Sequence, residues 1–260
     1  MIQNESLSEK RTFFARDDNP VMKRIKTGVD GLDNLIEGGV PKETITLISG
    51  PPGSGKTILC YHFISKGLEL GDRCLFITTD NKTEKLITQA RQLGFDFQSA
   101  VENGSLKIVF LNIQNKLVYD VVTREILSGD YDRVVLDSVT ALSELPIYVE
   151  KTELTETNDI ITATDFSSTI DGPPNRMHLH YIISLLDTAH CTSMITSEVT
   201  YGSFELSKDG ISEFLADGVI ILNFDPFMDK RKLSVIKMRS TLHTLRPHDI
   251  TIGEDGVKFL

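Results

Sequence analysis

At 260 residues with 40% hydrophobic content, the chain is long enough for one large α/β domain and apolar enough to fill its core. Its net charge of −10 argues against long-range attraction to nucleic acid, and the three cysteines, Cys60, Cys74 and Cys191, lie in apolar stretches without metal-ligand spacing, as core thiols in a reducing compartment do. The longest apolar runs are of strand length and the polar N-terminus has no signal-type apolar region, so a membrane protein is excluded and a cytoplasmic one expected.

In chain order, residues 1–21 are polar and charged and end in Asp17-Asp18-Asn19-Pro20, which predicts a mobile leader before a single domain over 22–260. The first strand is predicted at Thr44 to Ser49. It runs into Gly50-Pro51-Pro52-Gly53-Ser54-Gly55-Lys56-Thr57, which fits the pattern G-x-x-x-x-G-K-[ST], and a helix follows over 56–70, from Ile58 onward as an apolar run. This order of strand, glycine loop and helix is the context that the phosphate-binding motif needs. Backbone N–H groups curl around a phosphate, Lys56 supplies a cation to the β- and γ-phosphates and Thr57 offers its hydroxyl to Mg²⁺. The sequence therefore predicts a nucleoside triphosphate site, with Lys56 facing solvent when the loop is empty.

Strand-like and helix-like segments then alternate: strand 74–79, helix 82–93, strand 106–111, helix 117–128, strand 133–137, helix 175–189 and strand 192–197. Such alternation predicts βαβ crossovers and a mostly parallel sheet covered on both faces, with ligands at the carboxyl ends of its strands. The stretch from Tyr148 to Pro174 is rich in Thr, Ser, Asp and Asn and reads as either a functional loop or a disordered one. Past residue 200 the pattern changes to short strands at Asp217 to Asn223, Leu233 to Met238, His248 to Ile252 and Val257 to Leu260, an antiparallel or mixed extension of the same sheet. The histidines offer no metal set; His178 and His180, two apart in a predicted helix, point to different faces.

Three further positions carry chemistry. Arg133-Val134-Val135-Leu136-Asp137 is an apolar strand ending in a carboxylate, placed to hold hydrated Mg²⁺, although a strand-ending Asp also serves as a cap. Asp80 ends the strand beside the loop, where a carboxylate would orient or deprotonate an attacking water; capping the helix near Lys82 is the alternative. Lys237 and Arg239, two apart on a strand, leave the same face. They form either an anion-binding pair or a solvated strand face.

Taken together, the chain resembles the KaiC-like branch of the RecA/RadA ATPases, the single-domain archaeal members in particular. The resemblance rests on Thr27-Gly28-Val29-Asp30-Gly31-Leu32-Asp33, Gly38-Gly39-Val40-Pro41, the loop Gly50 to Thr57, Gln89 to Asp96, Asp137 to Leu142, Phe214 to Ile220 and Lys237 to His243. It implies a RecA-like core and ATP with Mg²⁺ at an interface between subunits of a ring, commonly a hexamer. It also implies that Lys237 and Arg239 reach the neighbour's ATP. Where that family carries two consecutive glutamates after the second strand, this chain has Asp80-Asn81, which implies slow hydrolysis or none. Where the second domain of the circadian members carries adjacent phosphate acceptors, this chain has Glu213-Phe214, which argues against autophosphorylation by that route. The family's late Arg-Gly is Arg239-Ser240 here. Three functions follow as candidates: a slow ATPase switching a partner protein, an ATP-dependent scaffold with negligible turnover, and a recombinase-like protein on single-stranded DNA, which the acidic balance disfavours.

Overall fold

The structure, a computed structural model, describes residues 22–115, 117–144 and 174–260. The predicted leader and nearly all of the 148–174 stretch lie outside them. A short entry pair, β1 (Arg24–Ile25) and β2 (Val40–Pro41), brackets α1 (Asp30–Leu35). Then come β3 (Ile45–Gly50), α2 (Lys56–Leu70), β4 (Cys74–Thr78), α3 (Thr83–Gln92), α4 (Phe97–Glu102), β5 (Leu106–Phe110), α5 (Val118–Leu127), β6 (Arg133–Asp137) and α6 (Val139–Ser143). After the undescribed stretch follow α7 (Pro174–Thr188), β7 (Thr192–Glu198), α8 (Ser212–Leu215), β8 (Gly218–Asp225), β9 (Lys230–Met238), β10 (His248–Gly253) and β11 (Gly256–Phe259).

Nine of these strands form one sheet in the order β11-β10-β9-β8-β3-β7-β6-β4-β5. From β8 to β5 all neighbours are parallel, whereas β9, β10 and β11 add on antiparallel. This is the RecA-like arrangement the sequence predicts, with its C-terminal extension. The reason is legible in the strands: β3, β4 and β6 are buried along their whole length, as central parallel strands covered on both faces must be. One face packs on α1 to α4 through Leu32, Leu59, Phe63, Phe76 and Phe97, the other on α5 to α7 through Ile126, Leu136, Leu142 and Leu186. Each such fully buried side chain contributes about 1.5–3 kcal/mol of transfer free energy. All three cysteines are buried thiols. Among the described residues no helix is long and apolar enough to cross a membrane.

The parallel strands put their carboxyl ends on one edge. Gly50, Thr78, Asp137 and Glu198 all lie there, and the loop entering α2 rises from the middle of it.

Candidate nucleotide-binding site

The loop between β3 and α2 turns on two glycines in the left-handed region, Gly53 at φ 81° and Gly55 at φ 104°, a conformation that costs a side chain more than it costs glycine. At Gly55 space matters too, since a Cβ there would stand 2.8 Å from the Ile252 side chain of β10. The C-terminal hairpin therefore lies against the loop. Ser54 is fully buried, and its hydroxyl has no hydrogen-bond partner among the described residues. A cradle with curled backbone and an unsatisfied buried hydroxyl fits a polar, anionic ligand such as a polyphosphate.

Lys56 departs from the solvent-facing expectation. It is 7% exposed, and its Nζ donates to the carbonyls of Gly50 at 2.9 Å and Pro51 at 3.2 Å. The cause is its place in the first helical turn, where side chains slant toward the N-terminus and so back into the loop. Burial lowers its pKa, opposed by the charges of Glu198, Asp137 and Asp80. The cation is thus held inside the cradle by the loop itself.

Thr57 donates its hydroxyl to Asp137 Oδ2 at 2.7 Å, and Thr196 of β7 donates to Asp137 Oδ1. Asp137 is 5% exposed. Burial raises its pKa, while the two hydroxyl donors lower it and the nearby Asp80 charge raises it. Hydroxyl and carboxylate side by side are the hard oxygen donors that Mg²⁺ takes. A carboxyl whose folded-state pKa is raised binds its proton more tightly in the folded chain, so stability is lost as pH rises from the ordinary carboxylate range through the raised value. At neutral pH the buried charge is therefore a cost. Asp137→Asn should raise the thermal midpoint of the nucleotide-free protein on the order of 2–4 °C, the shift that about 1 kcal/mol gives a domain of this size, and remove the Mg²⁺ dependence of nucleotide binding. A lowered midpoint in a calorimetric scan would contradict this.

Asp80 lines the same cavity as Lys56, Thr57, Ile58 and Asp137, a space of about 300 Å³. It does not cap α3: the N-cap residue is Lys82 and no side chain caps that end. Asp80 Oδ1 instead accepts from the Thr79 hydroxyl at 3.2 Å, and its backbone N–H donates to Thr78 Oγ1. A third carboxylate, Glu198, lines the cavity as well. The sequence reading stops its strand at 197, but β7 runs one residue further and pairs Glu198 with Gly50, the first residue of the loop. The signal that singles out Asp137, a strand ending in a carboxylate, applies to Glu198 equally.

Lys237 and Arg239 lie elsewhere. Arg239 follows β9, and its N–H bonds Asp217 O, while Asp217 N–H bonds Ile45 O. This places Arg239 level with the start of β3, whereas the glycine loop follows its end, five residues or roughly 16 Å away along the strand. The pair is not part of its own chain's cavity. Nor is it a purely solvated face: Lys237 Nζ donates to the carbonyls of Glu213 at 3.1 Å and Phe214 at 3.3 Å and to that of Ala216. Arg239 Nη1 pairs with Asp217 Oδ1 at 2.9 Å, its side chain 59% exposed. Burial and the Arg239 charge lower the pKa of Lys237.

The family model for the KaiC ATPase matches residues 25–260. UPF0273 protein PH0284 of Pyrococcus horikoshii is 29% identical over 241 residues, covering 90% of this chain and 93% of that protein. The circadian clock oscillator protein KaiC of Picosynechococcus is 28% identical over 240 residues, 91% of this chain but only 44% of that protein, so the chain spans under half of the clock protein's length. Among solved structures, the KaiC-like protein PH0186 from Pyrococcus horikoshii superposes with a TM-score of 0.72 at 29% identity, covering 92% of this chain and 99% of that one.

Proposed function

Because the chain belongs to the KaiC family of ATPases, we propose that residues 22–260 form an ATPase domain that hydrolyses ATP slowly and uses nucleotide state to govern assembly with like subunits. The observation that carries this reading is the convergence of Lys56, Thr57, Asp80 and Asp137 on one cavity of about 300 Å³. Lys56 would exchange its two carbonyl contacts for phosphate oxygens, since a charge-assisted bond to an anion is the stronger one. Thr57 and Asp137 would hold Mg²⁺, which offsets phosphate charge when bound. Asp80 would accept the proton of, or orient, the attacking water as ATP and water give ADP and phosphate. Its side chain is exposed and engaged only lightly, which leaves it free to turn toward the cavity.

Assembly is supported by the surface. Phe214 is exposed on α8, to which Lys237 is bonded, Leu242 and Leu245 are exposed just past Arg239, and Phe204, Phe227 and Met228 are exposed in loops that follow β7 and β8 on the edge bearing the phosphate loop. Large exposed apolar groups at both ends suit a head-to-tail contact, which closes into a ring when the rotation permits. In such a contact the basic pair of one subunit would approach the phosphate loop of the next. The net charge of −10 gives no support to a single-stranded DNA partner.

The hydrolytic role has a direct test. Asp80→Asn should cut phosphate release by roughly 10²–10⁴-fold, the usual contribution of a general base, while ATP affinity stays the same. Asp80→Glu, which restores the missing methylene, should speed it. Unchanged release from Asp80→Asn would move the base to Glu198, and equally unchanged release from Glu198→Gln would move it out of this cavity, whereas release no faster than background from the unaltered protein would leave an ATP-dependent scaffold.

A further inference from the structure

The basic residue meant to serve a neighbouring subunit is not loose on the surface. Asp217 lies between α8 and β8, and it makes four bonds that join two distant parts of the chain. Its backbone N–H bonds Ile45 O at 2.8 Å and its backbone O accepts from Arg239 N–H at 3.0 Å. Its carboxylate is divided between the same two residues, Oδ2 accepting from Ile45 N–H at 3.1 Å and Oδ1 from Arg239 Nη1 at 2.9 Å. Two residues before Arg239, Lys237 is tied to the carbonyls of 213, 214 and 216. Both cations are therefore fastened to the 213–217 segment, and through Asp217 to the first residue of the strand whose far end carries the phosphate loop.

We propose that Asp217 is the positioning residue for Arg239, holding the guanidinium by one of its nitrogens at a fixed height on the subunit surface so that its other donors are presented to the phosphates bound by the neighbouring copy. This rests on the proposed trans role of Arg239. The chemistry fits that task better than it fits stability. The pair is partly exposed, with side chains 22% and 59% accessible, and ion pairs of that kind contribute little to folding. A guanidinium has five N–H donors in a rigid fork, so the one nitrogen that Asp217 engages leaves others for a second oxygen ligand. Without Asp217 the long side chain would sample many rotamers, and a positioned charge stabilises a transition state only when it is already in place.

The experiment measures steady-state phosphate release and ATP binding by the full chain with ATP·Mg²⁺. Asp217→Asn is the informative variant: its amide oxygen still accepts from Ile45 N–H, but its charge no longer holds Arg239. The expected result is a kcat lowered ten- to a hundredfold, with KM, ATP affinity and the thermal midpoint nearly unchanged. Asp217→Glu, which keeps the charge but moves it by a methylene, should lower kcat in the same way and serves if the asparagine variant does not fold. In an Arg239→Ala background Asp217→Asn should cause no further loss, because a residue that acts through another has nothing left to position. A purely structural Asp217 would lower the double variant further, and a sequestering one would raise kcat when removed. Either result overturns the proposal while leaving the trans role of Arg239 intact. An Arg239→Ala protein as active as the wild type would instead remove the trans reading on which it rests.

Discussion

Arg239→Ala should lower phosphate release about a thousandfold, the lower end of what an arginine supplied across an interface contributes to phosphoryl transfer, and should weaken ATP-dependent assembly. The expectation follows from geometry: Arg239 is level with Ile45, too far along β3 from its own phosphate loop for one side chain to bridge. Any phosphate it meets must belong to another copy. Co-assembly separates cis from trans. In an equal random mixture of Arg239→Ala and Asp80→Asn subunits, about a quarter of the interfaces join an intact Asp80 to a neighbour's intact Arg239. Those interfaces should restore activity that neither variant has alone. A verified mixed assembly without rescue would leave Arg239 as a surface partner of Asp217 and nothing more.

Lys56→Ala should weaken ATP binding on the order of a hundredfold or more, because each charge-assisted bond to phosphate is worth about 1.5–3 kcal/mol. The folded state should survive. Lys56 is buried, yet what it holds are the carbonyls of Gly50 and Pro51 at the mouth of a water-accessible cradle, where water can replace it. Burial of its charge is itself unfavourable, as its lowered pKa shows, so removal costs the apo protein little. Isothermal titration with ATP·Mg²⁺ reads the affinity and a thermal scan reads the fold. Unchanged affinity in a folded variant would move the nucleotide away from this loop.

The fold was legible because its framework is made of strands that must be apolar from end to end. β3, β4 and β6 sit between two layers of helices, so Ile45 to Ile48, Cys74 to Ile77 and Val134 to Leu136 carry no alternation that a helix would compete for. The glycine loop announced the site for a similar reason, since its φ values and its cation are fixed by the ligand class. Short elements escaped. α1, α4, α6 and α8 have four to six residues, less than two turns, and show no 3.6-residue period to read.

What the sequence could not show was how polar groups are shared. Arg133 reads as an ordinary strand start but is 1% exposed, its guanidinium bonded to Asp72, Lys26 O and Phe63 O, partners up to 107 residues away. Glu198 at the cavity and Asp217 beneath Arg239 depend on strand register, which a single sequence does not reveal, whereas Lys56 folds back because it stands in the first turn of α2. Ser240 is a milder case. It takes φ 54°, in the left-handed region that suits glycine best, so the turn is made although the residue is not the one that favours it.

If two copies of the chain complete one ATP site together, nucleotide and assembly are linked, and the solution mass of the purified protein, measured by sedimentation with and without ATP·Mg²⁺, reads that link. A nucleotide-dependent closed assembly at a whole multiple of 29.0 kDa, absent from Lys56→Ala, is expected. A species that stays at 29.0 kDa in saturating ATP·Mg²⁺, at every protein concentration, would contradict it.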